Sequence, residues 1–193
     1  EITFEDFVRR NVTDFSRDIV KENNLLFFIP EIDRHFSEPR KVVVVRDPRD
    51  NIRSILDRLR IPGHRSTLAE ADMKSVPPAW RLVLDGRWLG FDTGHYISDL
   101  AERWRLGALE ARRNPASTFI VRYEDFLNDK VGTMTALAER LSLATGGNIE
   151  QSVDVQYQPQ GQQNVGWNEF FGAENLARIN DVCGEEMRRF GYE

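Results

Sequence analysis

The run Val42-Val43-Val44-Val45, led by Lys41 and closed by Arg46-Asp47-Pro48, constrains this chain more than any other stretch. Four consecutive β-branched residues favour extended backbone, and an unbroken apolar run is the pattern of a strand buried on both faces of a parallel sheet. The run stops at a turn whose residues can open a helix, with Asp47 as N-cap and Pro48 at the first helical position. Ile52, Ile55, Leu56 and Leu59 then fall on one helical stripe. The predicted unit is strand, turn, helix. In open α/β sheets ligands bind beyond the carboxyl ends of the strands, where helix N-termini offer unpaired amides to anions. Arg46 stands at that place. An ion pair with Asp47 or Asp50 is the competing use of its guanidinium.

A second β-rich run, Thr118-Phe119-Ile120-Val121-Arg122-Tyr123, closes on Glu124 and Asp125. Each run follows a helical pattern and ends on Arg or Tyr beside carboxylates, as expected if both deliver side chains to one edge of a parallel sheet. Helical periodicity predicts helices over about 95–113, 131–143 and 173–189, with shorter ones within 2–20, where Thr3 is a possible cap, and within 30–36. Residues 63–94, which hold Trp80 and Trp88, show no long regular period. Residues 144–168 are rich in Gln, Gly and Asn and read as a loop.

A chain of 193 residues suffices for one domain with a real core. No apolar run approaches the roughly 20 residues that a membrane span requires. A net charge of −5 and a pI near 5.4 argue against a general nucleic-acid binder, since a phosphate backbone calls for a broad basic surface. Two or three well-placed arginines would still serve a small anion. Cys183, the only cysteine, sits at helical spacing with Leu176, Ile179 and Met187 and reads as a core residue. His35, His64 and His95 are far apart and give a zinc site no support. The sequence opens at Glu1 in amphipathic material, which suggests that it begins inside a longer protein.

Three segments in this order resemble the sulfotransferase family that uses 3′-phosphoadenosine 5′-phosphosulfate as donor. Val-Val-Val-Arg46-Asp-Pro-Arg-Asp-Asn-Ile-Arg-Ser54 is similar to the family's 3′-phosphate motif, in which an Arg and a Ser eight residues later contact that phosphate. Phe119-Ile-Val-Arg-Tyr123-Glu-Asp-Phe-Leu resembles the strand end where a Tyr approaches the adenine. Gly166-Trp167-Asn-Glu-Phe-Phe, followed by a closing helix and Phe190-Gly191-Tyr192, is similar to the C-terminal signature. The resemblance spans about residues 20–193. It implies a three-layer α/β fold, with a parallel sheet flanked by helices in the P-loop-like arrangement, as a single domain over 1–193. It also implies cofactor-binding roles for Arg46, Ser54, Tyr123, Gly166 and Trp167.

Periodicity alone makes Ser54 a solvated helix residue, and ordinary packing competes for Tyr123 and Trp167. The family's opening strand and Gly/Ser/Thr-rich phosphosulfate loop have no counterpart here, so the expectation is that the given sequence lacks that N-terminal segment; loss of the loop in evolution is the other account. The basic residues that the family often places before its Gly-Trp pair are Gln160, Gly161, Gln162, Gln163 and Asn164 here.

Sulfuryl transfer needs a cation near the transferred group and a base for the acceptor hydroxyl. Lys21 precedes Arg46 by about the family's interval for its catalytic Lys, and Glu22 is the nearest candidate base. A solvated Lys-Glu pair in a loop is the alternative. The expected acceptor is a saccharide or small metabolite, and a cytoplasmic location is the accompanying expectation. A non-catalytic binding module and a nucleotide kinase are the rival functions.

Overall fold

The structure, a computed structural model, describes residues 3–144, 147–155 and 165–193. The chain opens with α1 (Phe4–Arg10) and α2 (Val12–Phe15), and Thr3 caps α1 by accepting from the Asp6 amide. A short 3₁₀ turn over Asn23–Phe28 leads into α3 (Ile29–His35). Then come β1 (Lys41–Val45), α4 (Pro48–Leu59), α5 (Glu70–Ser75), α6 (Pro78–Leu84) and α7 (Tyr96–Arg113). The chain continues through β2 (Thr118–Arg122), α8 (Tyr123–Asn128), α9 (Lys130–Arg140) and α10 (Trp167–Arg189). Helix α10 is broken at Gly172, whose φ of 72° suits a residue without a Cβ.

The strand-turn-helix unit forms as its residues dictate. Asp47 caps α4, Pro48 occupies the first helical position where a missing N–H costs nothing, and Arg60 ends the helix in a left-handed conformation. Ile52 and Leu56 are fully buried and face Ile97, Leu100 and Ala101 of α7 and Phe171, Ile179, Cys183 and Met187 of α10. Helices α4, α7 and α10 pack on one another and enclose this core. Burying side chains of this size contributes roughly 2 kcal/mol each. Cys183 points its Sγ at the Ala101 carbonyl, 3.4 Å away, and burial pushes its thiol pKa far up, as a structural cysteine requires.

The expected three-layer parallel sheet is not present. Among the described residues the sheet has two strands, β1 and β2, parallel, with Lys41 opposite Thr118 and Val45 opposite Arg122, and the structure is mostly helical. Nor is β1 buried on both faces. Side chains alternate along a strand, so Val45 turns into the helical core while Val42 and Val44 point away and remain 38% and 60% exposed. An all-valine run therefore marked the strand correctly and overstated its burial. The irregular stretch 63–94 contains α5 and α6, and the part of α10 beyond the break at Gly172 is the helix expected over 173–189, preceded by a short helical segment over 167–171.

Candidate functional site

The parallel register sets Val45 opposite Arg122, so Arg46 and Tyr123 leave the sheet side by side although 77 positions separate them in sequence. The Arg46 guanidinium lies over the Tyr123 ring, 4.8 Å from its centroid. No side-chain hydrogen bond or ion pair reaches that guanidinium among the described residues. The ion pair that competed for it does not form, because both carboxylates are engaged elsewhere. Asp47 holds Arg49 through two contacts of 2.9 and 2.6 Å, and Asp50 accepts from Arg53 and from the Trp167 indole, each at 2.7 Å.

Asp47 also caps the α4 N-terminus. Pro48 has no amide hydrogen to offer, and the Arg49 amide donates to Asp47 Oδ1 at 2.9 Å. The helix end is largely satisfied by its own cap. The Arg46 side chain remains available to an anion.

Three residues without an expected role hold this corner together. Trp104 of α7 donates its indole N–H to the Arg46 carbonyl at 2.9 Å. Glu124, in the first turn of α8, accepts the Asp47 amide on one oxygen at 3.0 Å and the Tyr192 hydroxyl on the other at 2.8 Å. The Tyr192 hydroxyl also lies 3.2 Å from the Val45 carbonyl, and its ring sits under the Arg122 guanidinium at 4.8 Å. Burial pushes the Tyr192 pKa well above the ordinary phenol value, and the Glu124 carboxylate adds to the rise. Arg122 is in turn held more firmly charged, first by the adjoining Tyr192 and then by the Asp125 and Glu124 carboxylates. The Phe190-Gly191-Tyr192 ending and the carboxylates closing the second β-run pointed toward this cluster in the sequence. Periodicity carries no mark of a helix tryptophan reaching a strand-end carbonyl 58 residues away.

The remaining candidates group around α4. Ser54 is exposed on its solvent side. Gly166 is the N-cap of α10, and Trp167 lies against the first two turns of α4: its ring is 4.0 Å from the Arg49 guanidinium and its indole N–H goes to Asp50. Arg53 fixes the preceding Val165 carbonyl at 2.6 Å. Both polar attractions of Trp167 are thus used within the protein, which favours packing over ligand contact. The residues Gln160, Gly161, Gln162, Gln163 and Asn164 lie outside the described residues.

Lys21 and Glu22 are exposed, and no hydrogen bond, ion pair or ring contact joins either to Arg46 or Tyr123. Glu22 caps the 3₁₀ turn by accepting from the Asn24 amide at 3.0 Å. Asn24 accepts from Arg103, 2.6 Å away, whose guanidinium lies 4.6 Å from the Phe27 ring and 5.5 Å from the Trp88 ring. Burial pushes the Arg103 pKa down to about 10, against the opposing pull of Glu22. Trp88 also stacks on Phe28 and donates to the Leu82 carbonyl, and Trp80 packs against the core, so both are occupied in packing.

No helix among the described residues is long and apolar enough to cross a membrane. The fold and this corner define a mostly helical α/β chain with an uncommitted cation beside an aromatic ring at the carboxyl end of a two-stranded parallel sheet. No family model, no curated protein and no solved structure matches it.

Proposed function

We propose that this chain binds the adenosine 3′,5′-bisphosphate portion of 3′-phosphoadenosine 5′-phosphosulfate and serves sulfuryl transfer to a hydroxyl of a saccharide or small metabolite. The observation that supports the reading is the pairing of Arg46 with Tyr123. A guanidinium with free N–H edges can grip a phosphate bidentately, and an adjacent aromatic face can carry a base. Arg46 would hold the 3′-phosphate, and Tyr123 would lie toward the adenine. Ser54 joins them on the strength of the sequence resemblance, and Gly166 and Trp167 would brace α4 from outside the ligand. The donor supplies the sulfuryl group; the chain's own part is to bind and orient its nucleotide end.

Lys21 and Glu22 remain the proposed cation and base, resting on sequence interval. The use of Glu22 as the cap of the 3₁₀ turn favours a second reading, a binding module that holds the nucleotide without performing transfer. Incubation with labelled donor and a panel of hydroxyl acceptors, together with calorimetry using adenosine 3′,5′-bisphosphate in the absence of magnesium, separates the readings. Sulfated product with nucleotide binding supports the transferase. Binding without product supports the module. No binding overturns both, and activity only with magnesium and a nucleoside triphosphate would indicate a kinase.

A further inference from the structure

The Arg46 carbonyl and the Asp47 amide are the two polar groups of one peptide unit, the first beyond the end of β1. Sheet pairing no longer satisfies them there. Side chains do so from opposite sides: the Trp104 indole donates to the carbonyl at 2.9 Å, and Glu124 accepts from the amide at 3.0 Å, itself held by the Tyr192 hydroxyl at 2.8 Å. A peptide plane has only the torsions on either side by which to turn, so fixing both of its edges fixes the direction in which the Arg46 side chain departs. α7, the start of α8 and the chain beyond α10 each contribute one piece.

We propose that Trp104 and Glu124, the latter backed by Tyr192, are positioning residues that lock the Arg46–Asp47 peptide and so aim the Arg46 guanidinium at an anionic ligand. The inference rests on the bisphosphate reading for the identity of the ligand, but not for the locking itself. Glu124 acts here as a hydrogen-bond acceptor, so its charge is dispensable and its oxygen is not. Trp104 acts through its N–H, and its ring keeps a separate edge contact with Phe190.

Two readouts test this. The first is ¹⁵N relaxation of the Arg46 Nε–H group in the free protein, which needs no nucleotide. Trp104→Phe and Glu124→Ala are each expected to lower its order parameter clearly, whereas Glu124→Gln, which keeps an acceptor oxygen, retains it. An order parameter unchanged in both Trp104→Phe and Glu124→Ala overturns the locking, and so does a Glu124→Gln protein as mobile as Glu124→Ala.

The second readout is affinity for adenosine 3′,5′-bisphosphate. Loss of one neutral hydrogen bond corresponds to about fivefold weaker binding in Trp104→Phe. In an Arg46→Ala background the same substitution is expected to change nothing, because there is no guanidinium left to aim. An equal loss in both backgrounds overturns the positioning role. If the unaltered protein binds no bisphosphate while Arg46 loosens in Trp104→Phe, the proposed ligand fails and the locked peptide stands.

Discussion

Arg46 and Arg49 are three residues apart, and each lies over an aromatic ring, yet the two regions around them are built for different ends. Around Arg49 every charge is answered: Asp47 takes its guanidinium, Trp167 covers its face, and Asp50 is shared between Arg53 and the Trp167 indole. Asp47 and Arg49 are only 6% and 9% exposed. At the strand ends the carboxylate nearest in sequence is already spent, and the Arg46 guanidinium lies over the Tyr123 ring with no side-chain hydrogen bond or ion pair among the described residues. Binding capacity at the end of a sheet therefore depends on which donors the fold leaves unused, more than on how many basic residues the motif contains.

Substitutions in the two regions should consequently separate stability from binding. Asp47→Ala has the largest expected effect, because it removes a helix cap worth about 1 kcal/mol and strands a buried guanidinium, a loss on the order of 3–5 kcal/mol together. Urea unfolding followed by the tryptophan signal would measure it, and a loss below about 1 kcal/mol would mean that Arg49 finds water or another partner. Arg46→Ala should leave stability within about 0.5 kcal/mol of the unaltered protein, since among the described residues it breaks no side-chain hydrogen bond. Its bisphosphate affinity should fall by roughly 10- to 100-fold, the worth of a charged hydrogen-bonded contact. Marked destabilisation would place Arg46 with Arg49 as a structural residue.

Smaller effects refine the contrast. Tyr123→Leu removes the ring under Arg46 while keeping an apolar side chain, and a loss of about 1 kcal/mol in bisphosphate affinity is expected from calorimetry. A change in stability with unaltered affinity would identify the ring as packing alone. Ser54→Ala is expected to be neutral in thermal unfolding and to weaken bisphosphate binding by about fivefold, as one neutral hydrogen bond would. Unchanged affinity removes Ser54 from the site.

What the sequence revealed and what it concealed have physical explanations. β1, α4 and their junction were legible because β-branching, an Asp-Pro start and a 3.6-residue period act within a few positions of one another. The adjacency of Arg46 and Tyr123 was anticipated from two strands ending alike, and parallel pairing in register provides it. The extent of the sheet was not legible, because a valine run specifies extended backbone without specifying what covers its second face. The short helical segment over 167–171, set apart from the rest of α10 by the break at Gly172, escaped notice for a different reason: Trp167 docks on α4, a tertiary contact. Trp104, Glu124 and Tyr192 escaped because their partners lie 58, 77 and 68 residues away in sequence.

The central claim is that the Arg46 guanidinium, without a side-chain hydrogen bond or ion pair among the described residues, serves a 3′-phosphate. Calorimetric titration of adenosine 5′-monophosphate against adenosine 3′,5′-bisphosphate, on the unaltered protein and on Arg46→Ala, tests it most directly. The added 3′-phosphate should strengthen binding by roughly 10- to 100-fold in the unaltered protein and bring no gain in Arg46→Ala. Equal affinities for the two nucleotides in the unaltered protein, or the same gain in both proteins, would contradict the account.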